Sequence, residues 1–254
     1  MEYKQAVIKL NKKAGETPLE CIKRFKTENP DYEGEKMTYA GRLDPLATGV
    51  LLILVGEECK KKEKYLSLDK EYELTILFGL STDSHDILGM IEDKKEGALD
   101  FLGKYTERDF TDLLNKFEKK FKQKYPRFSS KTVKGRPLFE IAKAEGIADK
   151  DLPEKNVEIM EIDFQSFGFV SKKYLHDFAL ENIFAVKGNF RQNTIWSKWA
   201  QTLEKFEDIN LPTLTIRVTC TSGTYMRSLA QAIGEEIGFP ALALKIKRIK
   251  VGEY

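Results

Sequence analysis

The stretch that most constrains this chain is Gly41-Arg42-Leu43-Asp44-Pro45-Leu46-Ala47-Thr48-Gly49, which runs directly into Val50-Leu51-Leu52-Ile53-Leu54-Val55-Gly56. Pro45 fixes its own φ and biases Asp44 away from helical backbone. Glycines at 41 and 49 permit geometries that a side chain forbids. The run from Val50 to Val55 is continuously apolar between glycines, the pattern of a strand buried on both faces. A lone carboxylate therefore sits on a stiff turn at the mouth of the core. Asp before Pro is ordinary turn chemistry. It is also how a rigid scaffold presents a reactive group from a loop. What accompanies Asp44 elsewhere in the chain has to decide between the two.

The 254 residues suffice for one large domain or two small ones. The net charge is only +2, so a nucleic-acid surface has to be a local patch. Cys21, Cys59 and Cys220 are far apart, and His85 and His176 are the only histidines. That set fits neither a disulfide scaffold nor a structural zinc site. The start, Met1-Glu2-Tyr3-Lys4, opens no secretory apolar region, and no apolar run approaches membrane-spanning length. A reducing cytoplasm is the expected compartment, with no membrane association and no obligate protein partner evident. Dinucleotide-binding glycines and a Walker-type phosphate loop are absent from the sequence.

Along the chain, Ala6 to Leu10 reads as a strand, and Thr17-Pro18-Leu19-Glu20 opens a helix with capping-box spacing and an early proline. Asn29 to Lys36 reads as a loop. Glu57 to Tyr65 holds Lys60, Lys61, Lys62 and Lys64, which a solvated helix face explains as well as a partner does. Lys70 to Gly79 alternates charged and apolar residues before turning apolar, as a strand entering the core does. Ser81 to Asp86 reads as a polar loop. A capped helix is expected over Thr106 to Phe121, with Phe110, Leu113, Leu114, Phe117 and Phe121 on one stripe. Further expectations are a helix at Pro137 to Glu145, a strand at Asn156 to Phe169, a strand at Leu214 to Cys220, a helix at Thr224 to Ile237 and a strand at Ala241 to Val251. Residues 170 to 210 are less legible, although Ile195, Trp196, Trp199, Leu203 and Phe206 outline an amphipathic helix. Strands and helices mixed without regular alternation indicate an α+β fold.

Two further residues join Asp44. Tyr72 lies in a strand among charged neighbours, where a half-buried packing role is the ordinary outcome. Arg227 follows Ser222-Gly223-Thr224-Tyr225-Met226, three residues after Thr224, which can cap the helix. A cation in the first turn of a helix opposes the helix dipole, which suggests an anionic partner, the ordinary alternative being a surface arginine that reaches solvent.

These stretches together resemble the TruB family of tRNA pseudouridine synthases. The resemblance rests on Gly41 to Leu51, Asp69-Lys70-Glu71-Tyr72, Phe78-Gly79 to Gly89, Lys134-Gly135-Arg136-Pro137-Leu138-Phe139, and Ser222-Gly223-Thr224-Tyr225-Met226-Arg227-Ser228-Leu229. It implies a single catalytic domain over residues 1–254, α+β, built on a mixed, largely antiparallel central sheet flanked by helices, with an insertion at about 170–210. It implies Asp44 as the catalytic aspartate that attacks or deprotonates the ribose, and Tyr72 as the ring that stacks on the base and serves the final proton removal. Arg227 becomes the partner of that aspartate and Asp86 the carboxylate that orients Arg227. Lys12, Tyr225 and Ile246 become residues near or lining the uracil pocket. At position 39, where the family usually has histidine, Tyr39 stands and is expected to fill the space of the flipped base by stacking.

The implied reaction converts uridine to pseudouridine in tRNA, at uridine 55 of the T-arm stem-loop. It breaks C1′–N1 and joins C1′ to C5 without redox change, so it calls for no cofactor and no metal. The target base must leave its stack, and an aromatic face offsets part of that cost. Phosphate contacts are expected from the lysines at 60 to 64, those at 119, 120, 122 and 124, or Lys245, Lys247, Arg248 and Lys250. The chain stops at Tyr254, where many relatives continue into an RNA-binding domain. Affinity is therefore expected to rest on the catalytic domain and the 170–210 insertion. The alternatives are the same chemistry on another RNA, such as ribosomal RNA in a guide-RNA complex, and a non-catalytic RNA-binding protein using the same cleft.

Overall fold

A computed structural model describes residues 5–207 and 209–254; the first four residues, considered above for a leader, lie outside it. In chain order the elements are β1 (Val7–Lys12), α1 (Pro18–Glu28), β2 (Met37–Ala40), β3 (Thr48–Val55), α2 (Lys62–Ser67), β4 (Lys70–Phe78), β5 (Leu80–Thr82), β6 (Ile91–Lys94), α3 (Ala98–Leu102), α4 (Glu107–Asn115) and β7 (Lys120–Lys124). Then come β8 (Thr132–Val133), β9 (Arg136–Pro137), α5 (Leu138–Ala144), β10 (Glu154–Ser171), α6 (Lys172–Ala185), α7 (Gln192–Glu204), β11 (Asn210–Cys220), α8 (Met226–Ile237) and β12 (Ala241–Val251). An eight-stranded sheet runs β1-β3-β12-β4-β11-β10-β7, with β2 also on β3. All its pairings are antiparallel except β12 with β3, so the fold is the mixed α+β arrangement expected.

The central apolar run behaves as its composition dictates. Leu51 to Leu54 are each 0% exposed. Leu51 and Ile53 pack under α1 with Ile8 and Ile22, while Leu52 and Leu54 face Ala40, Tyr65 and Val251. Each such side chain contributes about 1.5–3 kcal/mol by leaving water. One broad face of the sheet carries α8 and α4 over Leu74, Ile76, Ile216 and Val218. The other carries α6 and α7 over Leu77, Leu211, Leu242 and Leu244.

Four local expectations need correction. The helix from Thr106 keeps its capping box with Asp109 but stops at Asn115. Phe121 belongs to β7, opposite Val157, because β10 is long enough to recruit another strand. No glycine or proline between 116 and 120 signals that break. Residues 170–210 hold two helices, not one. Leu175, Ala179 and Ile183 bury one side of α6, while exposed Tyr174, Leu180 and Phe184 blur its period. Thr224 does not cap α8; its Oγ1 donates to Thr221 O at 2.8 Å. The helix begins instead under Tyr225, whose N donates to Gln123 Oε1 at 2.8 Å while Gln123 Nε2 returns a bond to Tyr225 O at 3.1 Å. Finally, the polar stretch at 81–86 is not all loop, since its start belongs to β5.

Candidate active site

The loop between β2 and β3 is held from below by two buried cations. Lys12, 0% exposed, donates its Nζ to Lys13 O (3.0 Å), Pro45 O (2.9 Å) and Ala47 O (2.7 Å). All three protons of an ammonium are thereby engaged on backbone. Arg248, 1% exposed, donates Nε to Val50 O (2.7 Å), Nη2 to Gly41 O (3.1 Å) and Nη1 to Arg42 O (3.4 Å). Arg248 is thus removed from the candidate phosphate contacts. Its place on β12 accounts for this: it shares a face with Ile246, while Lys247 between them is exposed. Gly49 is required where it stands. Its φ is +100°, and a Cβ there would lie 2.1 Å from Arg248 O.

Above this base the acid and the guanidinium meet, from positions 183 residues apart. Arg227 donates Nε to Asp44 Oδ2 at 2.8 Å and Nη2 to Asp44 Oδ1 at 3.0 Å. Its Nη1 donates to Ser84 O at 2.8 Å, and Nη2 also reaches Phe128 O at 3.3 Å. Asp86 Oδ2 stands 3.6 Å from Nε. The Arg227 side chain is 3% exposed and that of Asp44 31%, so the arginine is floor and the carboxylate faces the opening. Burial alone would push the guanidinium down, but Asp44 and Asp86 together hold it above its ordinary range. Asp86 is fastened by Ser84 Oγ (2.6 Å) and Leu88 N (2.9 Å), and burial pushes its carboxyl up despite Arg227.

Tyr72 is half-buried on β4, opposite Arg248 of β12 and Val218 of β11, on the sheet face that also carries Leu74 and Ile246. Tyr72 and Ile246 both pack against the core cluster beneath α8. Burial raises the Tyr72 phenol, with Arg248 acting in the opposite sense. The Tyr225 phenol is pushed up to about 12 by burial and then by the charge of Asp44. Its ring meets Tyr125 edge-on at 5.5 Å. Arg42 Nη1 donates to Ser130 Oγ at 3.0 Å, joining the loop to the segment after β7.

Asp44, Arg227 and Asp86 therefore form one ion-paired group, in which only Asp44 is hydrogen-bonded to the guanidinium, with Tyr72 and Tyr225 within electrostatic reach of Asp44. Lys12 lies beneath the loop and not in the opening. Tyr39 stands beside it on β2, opposite Ile53, with its ring on the α1 cluster, Lys62 Nζ 5.1 Å and Arg42 Cζ 6.0 Å from its centroid. Gln123 was not among the candidate residues, because its partner Tyr225 lies 102 residues downstream, and the Ser84 and Phe128 carbonyls were not, because backbone acceptors carry no residue signature.

A family model described as TruB family pseudouridylate synthase (N terminal domain) matches residues 29–181, which hold Asp44, Tyr72 and Asp86. The chain belongs to the TruB family. A tRNA pseudouridine synthase B of Syntrophus aciditrophicus is 30% identical over 97% of this chain and 62% of its own length. One of Bordetella pertussis is 29% identical over 98% of this chain and 81% of its own. The fold is shared with a chain of a Cbf5-Nop10-Gar1 complex, at a TM-score of 0.55 and 19% identity over 97% of this chain and 48% of that one. Among the described residues no group of His, Cys, Asp and Glu could hold a metal, and no helix is long and apolar enough to cross a membrane.

Two predictions follow from the base of this TruB-family site. Gly49→Ala is expected to destabilise the fold by about 3 kcal/mol, because the strained φ and the backbone collision add; a urea titration measures it. Lys12→Met is expected to destabilise by orphaning three carbonyls. Burial lowers the Lys12 ammonium to about 8, against the pull of Glu16 and Asp44. Between about 8 and the ordinary 10.5 the unfolded chain holds the proton more tightly, so the wild type gains stability as pH rises. The gap between wild type and Lys12→Met should widen over that window, as read by denaturation at pH 7.5 and 10. A gap that narrows would contradict the assignment.

Proposed function

We propose that this protein is a tRNA pseudouridine synthase acting on uridine 55 of the T-arm loop. The observation that carries the reading is the two-pronged pair between a partly exposed Asp44 and a buried Arg227. Its relatives bear the name tRNA pseudouridine synthase B. Asp44 attacks or deprotonates the ribose, and the C1′–N1 bond breaks. The freed uracil turns, C5 joins C1′, and the proton left on C5 is removed. Arg227 holds the carboxylate in one orientation while the bound RNA excludes water, which is how a fixed cation keeps a nucleophile or base competent. Tyr72 offers the flipped base a face to stack on and a phenol for the last proton transfer. The arrangement calls for no cofactor.

RNA phosphates require cations outside this pair. Lys120 and Lys122 on β7, with Lys155, line a groove of about 870 Å³ that also includes Glu63, Asp69, Glu158, Thr221 and Ser222, just before the turn into α8. The groove's lysines are candidate contacts for a nucleic-acid backbone. Lys60 and Lys61 are paired with Glu57 and Glu58 at 2.6 and 2.9 Å, and Lys120 with Glu158 at 3.6 Å, so these three serve that role less well than Lys122. The three cysteines are free thiols, in keeping with a cytoplasmic location. Incubating the protein with unmodified tRNA and mapping pseudouridine tests the reading. Conversion at position 55 supports it, conversion elsewhere changes the target, and binding without conversion makes the protein an RNA-binding module.

A further inference from the structure

The helices α6 and α7 pack over Leu77 and Leu242, and α7 and the residue before it touch the turn that carries Ser84 and Asp86. Trp199, 0% exposed, donates Nε1 to Gly89 O at 3.0 Å. Arg191, just before α7, donates Nη1 to Asp83 Oδ2 at 2.9 Å and Nη2 to Oδ1 at 3.4 Å. Its Cζ lies 4.2 Å from the centroid of the Phe128 ring. Asp83 is buried, and its Oδ1 also accepts from Met90 N at 2.9 Å, closing the turn that carries Ser84 and Asp86. That turn is packed to contact: a Cβ on Gly89 would lie 2.5 Å from Ser84 Oγ and 2.7 Å from Asp83 Oδ1.

Arg191 thus grips two segments, and each of them lends one backbone carbonyl to Arg227: Ser84 O and Phe128 O. It does so from a left-handed backbone, φ +64°, which an arginine adopts unfavourably. Its Nε is buried with no acceptor among the described residues, so Asp83 and Phe128 set the orientation of the side chain.

We propose that Arg191 is a positioning residue for Arg227 and, through it, for Asp44. By pairing with Asp83 and stacking on Phe128, it sets the separation of the two carbonyls that hold the Arg227 guanidinium. The 170–210 insertion is then a part of the catalytic scaffold and not an appendage. The activity arm of the test rests on the isomerase reading; the second arm does not.

The test uses the full chain with Arg191→Met, Arg191→Lys, Asp83→Asn and the double variant Arg191→Met/Asp83→Asn. In steady-state pseudouridine formation, Arg191→Met is expected to lower kcat by about 10- to 100-fold, as slight misplacement of a reacting group does, with KM for tRNA within about twofold. Arg191→Lys should restore part of the loss, and the double variant should be no worse than the poorer single one. Independently of turnover, solvent exchange of the Arg227 Nε–H proton, followed by NMR, should quicken at least about tenfold in Arg191→Met. Asp83→Asn removes the same grip from the acid side and decides the matter if Arg191→Met does not fold. Raised KM at unchanged kcat would make Arg191 an RNA contact and overturn the proposal, as would unchanged kcat with unchanged exchange. A wild type that makes no pseudouridine ends the isomerase reading, while the exchange measurement still decides the role of Arg191.

Discussion

Asp44→Asn is expected to lower pseudouridine formation by at least about 10³-fold while tRNA affinity stays within about threefold. Asparagine has the same shape and can still accept from Arg227 Nε. Its amide nitrogen, however, then faces Nη2, which now donates to Asp44 Oδ1 at 3.0 Å. One prong is lost, and so is the only carboxylate of the group that faces the opening, since Asp86 is buried behind Arg227. Asp86 cannot replace it from 3.6 Å behind the guanidinium without dismantling the floor. Mapping of tRNA after long incubation gives the residual rate, and filter binding gives the affinity. Conversion by the variant at more than a few per cent of the wild-type rate would remove Asp44 from the reaction. Loss of binding in step with turnover would make its role one of RNA contact.

Arg227→Met is expected to produce the largest effect on stability, about 3–5 kcal/mol, together with loss of activity. Removing one partner of a buried charged group costs that much because the others remain without compensation. Here the others are the Asp44 carboxylate, Asp86, and the carbonyls of Ser84 and Phe128. At this chain length the loss corresponds to roughly 10 °C in the midpoint of thermal unfolding. Arg227→Lys separates charge from shape. A lysine keeps the cation yet cannot fork onto a carboxylate while also holding two carbonyls, so stability should recover in part and turnover should not. Calorimetry on the three proteins reads the first effect and pseudouridine mapping the second. An unchanged midpoint in Arg227→Met would show that the pair contributes little to the fold.

Much of this was legible beforehand. The Gly41 to Gly49 loop, the doubly buried strand after it, the capped α1 and the closing β12 all express local rules: proline and glycine dihedrals, apolar runs and capping spacing. The candidate acid was visible because a carboxylate on a rigid turn beside a core strand is chemically conspicuous. Arg227 was visible because a cation in a first helical turn is unfavourable without an anion. Arg248 was misread among the surface cations, since a lysine-rich strand conceals which of its charges turns inward. The early end of α4 was hidden because the competing partner, β10, lies more than thirty residues downstream.

Local sequence therefore determined most of the elements, the buried strand and the candidate acid, because each depends on residues within a few positions of one another. Only the tertiary structure decided what surrounds that acid: the carbonyls of Ser84 and Phe128, the two cations under the loop, and Arg191 arriving from the segment just before α7. Those contacts join segments up to 207 residues apart and run largely through backbone atoms. Backbone carbonyls are the same in every residue, so no sequence pattern marks them until the chain has folded around the site.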